Sequence, residues 1–189
     1  MLFLLILFFS DVKPDNILYD NQKSDLIKLC DFGNAQIFNE SQKMHHKFGT
    51  IVYVAPEVLN GSYDEKCDIW SCGIILYILL CGYPPFTGKT DNEIIKQIEN
   101  GDVTFSGYEW QLISNEAKEL IKSMISYESF KRPTAQQCLE NIWFGKSLIP
   151  LECEKGIIEN ALKNIRKFNV KKIKIPLDKL NKFRFIFFF

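Results

Sequence analysis

The longest apolar segment of the chain, from Ile69 to Cys81, contains no charged residue. It is followed directly by Gly82-Tyr83-Pro84-Pro85, a cluster that interrupts regular secondary structure. A segment that is apolar on nearly every side is typical of a buried helix, and this one is too short to cross a bilayer. The pattern therefore predicts a helix at the centre of the core.

Two later segments repeat apolar residues at helical spacing, each on one face only. The first helix is expected to end near Asn100-Gly101, because glycine commonly follows the last turn. Its apolar face comprises Ile94, Ile95 and Ile98. The apolar face of the second comprises Ala117, Leu120, Ile121, Met124 and Ile125. We expect both helices to be half-buried.

Strands are predicted only near the start. The short apolar runs 17–19 and 26–30 are separated by a polar turn and indicate a β-hairpin, whereas residues 31–57 lack periodicity and are predicted to be a long loop. Thr134 and Gln137 form a capping-box pattern that starts a helix reaching about Asn141. The expected fold is mainly α: a helical domain with one small hairpin.

Both ends of the chain are rich in Leu, Ile and Phe. Residues 1–9 are too few to span a bilayer, and neither a positive n-region nor a small-residue cleavage site accompanies them. Three interpretations stay open for these ends: wrongly joined exon edges, a short buried element, or genuinely apolar termini. We expect a cytoplasmic protein without a transmembrane span.

The formal net charge of zero conceals two oppositely charged parts. Residues 1–154 hold 13 Lys and Arg against 21 Asp and Glu, while residues 155–189 hold 10 against 2. The six cysteines show no metal-ligand spacing and no disulfide framework, so buried thiols in a reducing compartment are expected. Nothing in the composition indicates a nucleic-acid partner.

Five motifs occur in one order along the chain. Asp11-Val12-Lys13-Pro14-Asp15-Asn16 is followed by Asp31-Phe32-Gly33, then by Ala55-Pro56-Glu57, by Asp68-Ile69-Trp70-Ser71-Cys72-Gly73, and by Arg132. Together they resemble the C-terminal lobe of eukaryotic protein kinases, over residues 11 to about 144. Any one tripeptide would be weak evidence, but five in sequence are specific.

The resemblance implies a role for each motif residue. Asp11 would accept the proton of the substrate hydroxyl, Lys13 would contact the transferred phosphate, and Asn16 and Asp31 would hold Mg²⁺ beside ATP. Thr50 would hydrogen-bond near Asp11 and Lys13, and its identity implies Ser or Thr of proteins as the substrate.

Three further residues would act structurally by the same resemblance. Glu57 and Arg132 would form a buried ion pair that holds the activation segment, and Asp68 would brace the backbone of the catalytic loop. An isolated Asp is more often a solvated residue or a helix cap. The collective pattern favours the site.

The segments from Gly49 to Leu59 and from Leu76 to Phe86 resemble the calcium/calmodulin-dependent group, and calcium-dependent protein kinases in particular. That resemblance implies an autoinhibitory junction after the kinase domain. Residues 156–175 fit a basic amphipathic helix, which we expect to dock on the acidic body and cover the substrate groove. No calcium-binding EF-hand loop occurs in the sequence.

Two departures from the family pattern stand out. Phe9-Ser10 occupies the place of the usual His-Arg before Asp11, so regulation through activation-loop phosphorylation is unsupported. The printed sequence also has no Gly-rich loop, no ATP-anchoring lysine, no partner glutamate and no adenine hinge. We therefore expect the chain alone to be inactive or nearly so.

Three hypotheses follow. Residues 1–10 could be the edge of a misassembled gene for an active Ser/Thr kinase. The chain could instead be a pseudokinase-like binding or scaffold module. A third possibility is an active kinase assembled with a second chain that supplies the other lobe.

Overall fold

A computed structural model describes residues 7–9, 11–19, 27–37, 51–145, 161 and 163–164 of the 189-residue chain. Four short strands come first: β1 (Leu7–Phe8), β2 (Ile17–Tyr19), β3 (Ile27–Leu29) and β4 (Gln36–Ile37). The predicted hairpin is present, with β2 antiparallel to β3 and Ile17 opposite Leu29. A second antiparallel pair joins β1 to β4.

Helices make up the rest of the described fold. They are α1 (Pro56–Leu59), α2 (Lys66–Cys81), α3 (Asp91–Asn100), α4 (Asn115–Met124), α5 (Ala135–Leu139) and α6 (Ile142–Gly145). Five 3₁₀ turns connect them and the strands, at Pro14–Asn16, Phe32–Asn34, Ile51–Tyr53, Tyr108–Gln111 and Ser129–Lys131. Among the described helices, none is both long enough and apolar enough to span a membrane.

The core is built around α2. Every residue from Ile69 to Cys81 is buried, as expected of a helix that is apolar on all sides. The Trp70 ring stacks on Phe86 with 5.7 Å between ring centroids. Gly82 then ends the helix in the left-handed conformation, with φ of 88°, and its N–H donates to the Ile78 carbonyl.

Helix α4 packs closely against α2 at a glycine. A Cβ atom at Gly73 would lie 2.7 Å from Ile125 Cγ1 and 2.9 Å from Met124 Cβ. The two helices approach at this distance because position 73 carries no side chain. The four residues of α4 that are buried are Ala117, Leu120, Ile121 and Met124, as its periodicity predicts.

The predicted N-terminal cap at Thr134 forms. The Thr134 side chain accepts from the Gln137 N–H, and the Gln137 side chain accepts from the Thr134 N–H, so the capping box of α5 is complete. This helix ends at Leu139, two residues before the predicted boundary. Thr90 caps α3 in the same way, by accepting from the Glu93 N–H.

The segment 31–57 differs from its prediction as one long loop. Its described parts contain the turn Phe32–Asn34, strand β4, the turn Ile51–Tyr53 and the start of α1. These pieces are short and are stabilised by contacts with distant parts of the chain, such as the β1–β4 pairing. They therefore show no hydrophobic period from which the sequence could predict them.

Candidate active site

A single 3₁₀ turn, Pro14–Asn16, brings the first predicted site residues together. Proline at the first position supplies the required φ, and the Asn16 N–H donates to the Lys13 carbonyl at 3.0 Å. The Asn16 side-chain amide then points back and donates to the Asp11 carbonyl at 2.9 Å. The same nitrogen lies 3.4 Å from Asp11 Oδ2.

The Asp11 carboxylate is nearly buried yet has a charged partner. Its Oδ2 atom lies 2.6 Å from Lys13 Nζ, with 7% and 18% of the two side chains exposed. A charge-assisted hydrogen bond of this length in a partly desolvated place is stronger than its counterpart in water. The Lys13 ammonium therefore fixes the carboxylate in one orientation.

The β2–β3 hairpin connects this turn to Asp31. The Cys30 N–H donates to the Asn16 carbonyl at 2.9 Å, which continues the pairing beyond β3 and places Asp31 next in the chain. Asp31 itself is exposed and adopts a left-handed conformation, with φ of 65° and ψ of 66°. It is the one described non-glycine residue with positive φ. Such conformations are concentrated at functional sites.

Helix α2 contacts the backbone of the segment that precedes Asp11. The Phe9 N–H donates to Asp68 Oδ2 at 2.9 Å, so a carboxylate in the first turn of α2 holds the backbone two residues before Asp11. The buried Phe9 ring meets the Phe32 ring edge-on, with 4.9 Å between centroids. This contact joins the segment before Asp11 to the segment after Asp31.

Glu57 and Arg132 form the predicted pair. Arg132 Nη1 lies 2.5 Å from Glu57 Oε1, and Arg132 Nη2 lies 2.7 Å from Glu57 Oε2, a bidentate geometry. The Arg132 guanidinium also lies over the Trp70 ring, 5.0 Å from its centroid. The pair thus connects the start of α1 to α2 and to the segment after α4.

The segment before α1 faces the same loop. Ser71 Oγ donates to the Tyr53 carbonyl at 2.9 Å, which ties the turn Ile51–Tyr53 to α2. Burial and the nearby Asp15 carboxylate raise the pKa of Tyr53 to about 12, so this hydroxyl stays protonated at neutral pH. Thr50 lies outside the described residues, as does most of the predicted tail helix 156–175.

The donor atoms fit a hard divalent cation. The Asn16 nitrogen makes both bonds to Asp11, so the side-chain oxygen takes part in neither of them. Asp31 adds an exposed carboxylate. Few protein oxygens, with water and phosphate completing the shell, are the ligands that Mg²⁺ prefers. Among the described residues no cluster of three His, Cys, Asp or Glu side chains suits a metal held entirely by protein.

Sequence reasoning missed two supporting residues. In the sequence, Phe9 stands out only as a departure from the family pattern, although its N–H and its ring both make contacts at the site. Ser71 belongs to the helix motif, and the sequence does not predict that it donates to the Tyr53 carbonyl. Their positions, two residues before Asp11 and three residues after Asp68, are the available signals.

Comparison with known proteins agrees with the motifs. The family described as protein kinase domain matches residues 2–144. Calcium-dependent protein kinase 4 of Plasmodium falciparum (isolate 3D7) is 46% identical over 162 residues, which cover 84% of this chain and 31% of that protein. Calcium-dependent protein kinase 3 of Plasmodium yoelii yoelii is 44% identical over 160 residues, covering 84% and 30%.

A third relative gives the same result over a shorter stretch. Calcium-dependent protein kinase 5 of Plasmodium falciparum (isolate 3D7) is 44% identical over 137 residues, covering 72% of this chain and 24% of that protein. The chain therefore spans less than a third of the length of these curated relatives.

Proposed function

This chain belongs to the protein kinase family, and from that premise we propose that its candidate site transfers the γ-phosphate of ATP to Ser or Thr hydroxyls of proteins. The observation that carries the proposal is the Asp11 carboxylate, buried and held by Lys13 Nζ at 2.6 Å and by the Asn16 amide. A fixed carboxylate beside one ammonium suits a reaction in which a hydroxyl proton leaves while phosphate charge builds up.

Each residue of the site has one task in this proposal. Asp11 orients the attacking hydroxyl and accepts its proton, while the Lys13 ammonium balances charge on the transferred group. Asn16 and Asp31 hold Mg²⁺, which when bound neutralises the phosphate oxygens of ATP. Asp68 acts on Asp11 indirectly, by fixing the Phe9 backbone.

We also propose that the 189 residues alone transfer phosphate poorly or not at all. The 189 residues contain none of the motifs by which the family holds the nucleotide from its other lobe. Losing one preorganised donor costs roughly 10²- to 10³-fold in rate, and several are involved here. An assay of the purified chain with an Asp31→Ala control tests this, because activity that vanishes in the control would refute it.

A chimera with a complete kinase domain tests whether the candidate site can transfer phosphate when the missing ATP-binding lobe is supplied. Residues 11–144 would replace the aligned segment of calcium-dependent protein kinase 4 of Plasmodium falciparum. The chimera is expected to phosphorylate a Ser-containing peptide, and Asp11→Asn should lower kcat by about 10²- to 10⁴-fold. Asp102→Asn, at an exposed carboxylate on a loop outside the site, is the matched control. An inactive but folded chimera would favour the binding-module hypothesis.

For the tail, we propose that residues 156–175 dock on the acidic body and cover the substrate groove. Two described positions support docking: Ala161 is fully buried, and the Asn164 side chain hydrogen-bonds to Cys81 and Glu109. A chain ending at Lys146 should bind a basic peptide more tightly than the full chain, by fluorescence anisotropy. Equal affinities would contradict the covering role, and an acidic peptide of equal length controls for non-specific binding.

A further inference from the structure

The C-terminal end of α2 is completed by a residue 83 positions later in the sequence. The last four carbonyls of a helix lack partners within it, and the Cys81 carbonyl is one of them. Asn164 Nδ2 donates to that carbonyl at 2.8 Å. The same nitrogen donates to Glu109 Oε1 at 2.7 Å, so one amide group joins the end of α2 to the turn Tyr108–Gln111.

The contact surface requires glycine at position 82. A Cβ atom there would lie 2.3 Å from the Ala161 carbonyl oxygen and 2.6 Å from Asn164 Cβ. The first of these is a backbone atom, which cannot move aside as a flexible side chain can. Gly82 is therefore needed twice, once for its left-handed φ of 88° and once for the approach of the later segment.

Tyr83 is a second neighbour of Glu109. Glu109 Oε2 and the Tyr83 hydroxyl would both lie close to a Cβ atom at Gly107. Burial, Cys81 and the Glu109 carboxylate raise the pKa of Tyr83 to about 12, so the phenol remains a neutral neighbour of the carboxylate. The Glu109 carboxylate therefore lies beside both Tyr83 and Asn164.

We propose that Cys81, Gly82 and Glu109 form an anchoring socket that holds Ala161 and Asn164 on the end of α2, at a place separate from the Asp11 site. Ala161 fills the apolar part of the socket, since it is fully buried within the core cluster. Asn164 supplies both hydrogen bonds, while Lys163 lies between them in sequence and is exposed. The anchor rests on the proposed tail docking for its regulatory meaning, because it fixes one point within residues 156–175.

Trypsin provides a direct readout in the full 189-residue chain, since the bond after Lys163 lies inside the anchored segment. Trypsin can cleave this bond only after the segment opens locally, so the cleavage rate depends on the population of the open form. Asn164→Ala should speed this cleavage by about tenfold, as two hydrogen bonds are lost. Glu109→Ala, which removes one bond, should give a smaller increase.

Cleavage after Lys118, within α4, reports global unfolding in the same digest. The anchor predicts a rise at Lys163 with less than about a twofold change at Lys118. Equal rises at both sites, or none at Lys163, would overturn the proposal. Neither rate depends on kinase activity, so failure here is distinct from failure of the proposed phosphotransfer.

A pair of glycine variants tests the steric part. Gly82→Ala should speed cleavage after Lys163 as Asn164→Ala does. Gly61→Ala is the matched control, because Gly61 also has positive φ, of 76°, but has no atom within 4 Å of its Cβ position. If the two variants behave alike, the socket does not exclude a side chain. Should Gly82→Ala fail to fold, the Asn164→Ala result decides alone.

Discussion

Arg132 uses all five of its N–H groups inside the lobe. Two bind the Glu57 carboxylate, and the other three donate to the Ser126, Lys66 and Tyr127 carbonyls at 2.8, 2.9 and 3.3 Å. In return, Lys66 Nζ donates to the Arg132 carbonyl at 2.8 Å. A guanidinium with five donors in a fixed plane is the side chain that can satisfy this set.

Replacing Arg132 by Lys should therefore destabilise the lobe despite the conserved charge. An ammonium has three donors and cannot bind Glu57 in a bidentate way, so buried acceptors would lose their partners. We expect the free energy of unfolding to fall by roughly 2 to 4 kcal/mol, measured by urea denaturation. Lys131→Ala, which breaks the exposed pair with Glu128, should leave the midpoint nearly unchanged. A similar urea midpoint for both variants would contradict the conclusion that the hydrogen bonds of Arg132 stabilise the lobe.

At the scale of elements, sequence periodicity predicted the long helices well and the short pieces poorly. Helix α2 begins at Lys66, three residues before the apolar run, because the polar first turn is stabilised by Arg132 and by the Phe9 contact of Asp68. Strands β1 and β4 have two residues each and exist only through pairing with each other. No local pattern of that length identifies a strand.

The candidate site was also predictable only in part. The motifs indicated that Asp11, Lys13 and Asn16 lie together, and these side chains are in contact around the Pro14–Asn16 turn. They did not predict the positive φ of Asp31 or the amide bridge of Asn164, which depend on distant chain segments. On an amphipathic helix a single Asn is indistinguishable from any other polar position.

The α2–α4 contact provides a prediction at this scale. Gly73→Ala would push a methyl group against Ile125 Cγ1 and Met124 Cβ, atoms close to the backbone of the segment that ends α4. Overpacking of this kind costs about 1 to 3 kcal/mol, although alanine is the better helix former. Thermal or urea unfolding should show the loss.

A double variant distinguishes crowding from other causes. Ile125→Ala removes Cγ1, the side-chain atom that would lie nearest to a methyl group at position 73. In the Gly73→Ala background it should cost less than in the wild-type chain, or even restore stability, because it relieves the contact. Strictly additive effects would mean that the two positions do not compete for space.

For the whole molecule, the buried thiols make folding sensitive to alkaline pH. Burial raises the pKa of Cys67, Cys72 and Cys81, and raises that of Cys138 to about 12. In the unfolded chain a thiol titrates near pH 8.5. Above that pH the unfolded chain releases protons that the folded chain retains, so stability that is complete below about pH 8.5 is lost as pH rises.

Urea midpoints measured from pH 7 to pH 10 should therefore be constant at first and then decline. Each buried thiol contributes a slope of up to about 1.4 kcal/mol per pH unit once the unfolded thiol is ionised. Cys72→Ala removes one such group from the middle of α2, so its stability should decline less steeply above pH 9 although it starts lower at pH 7. Identical slopes for the two chains would show that the buried thiols do not set the alkaline limit.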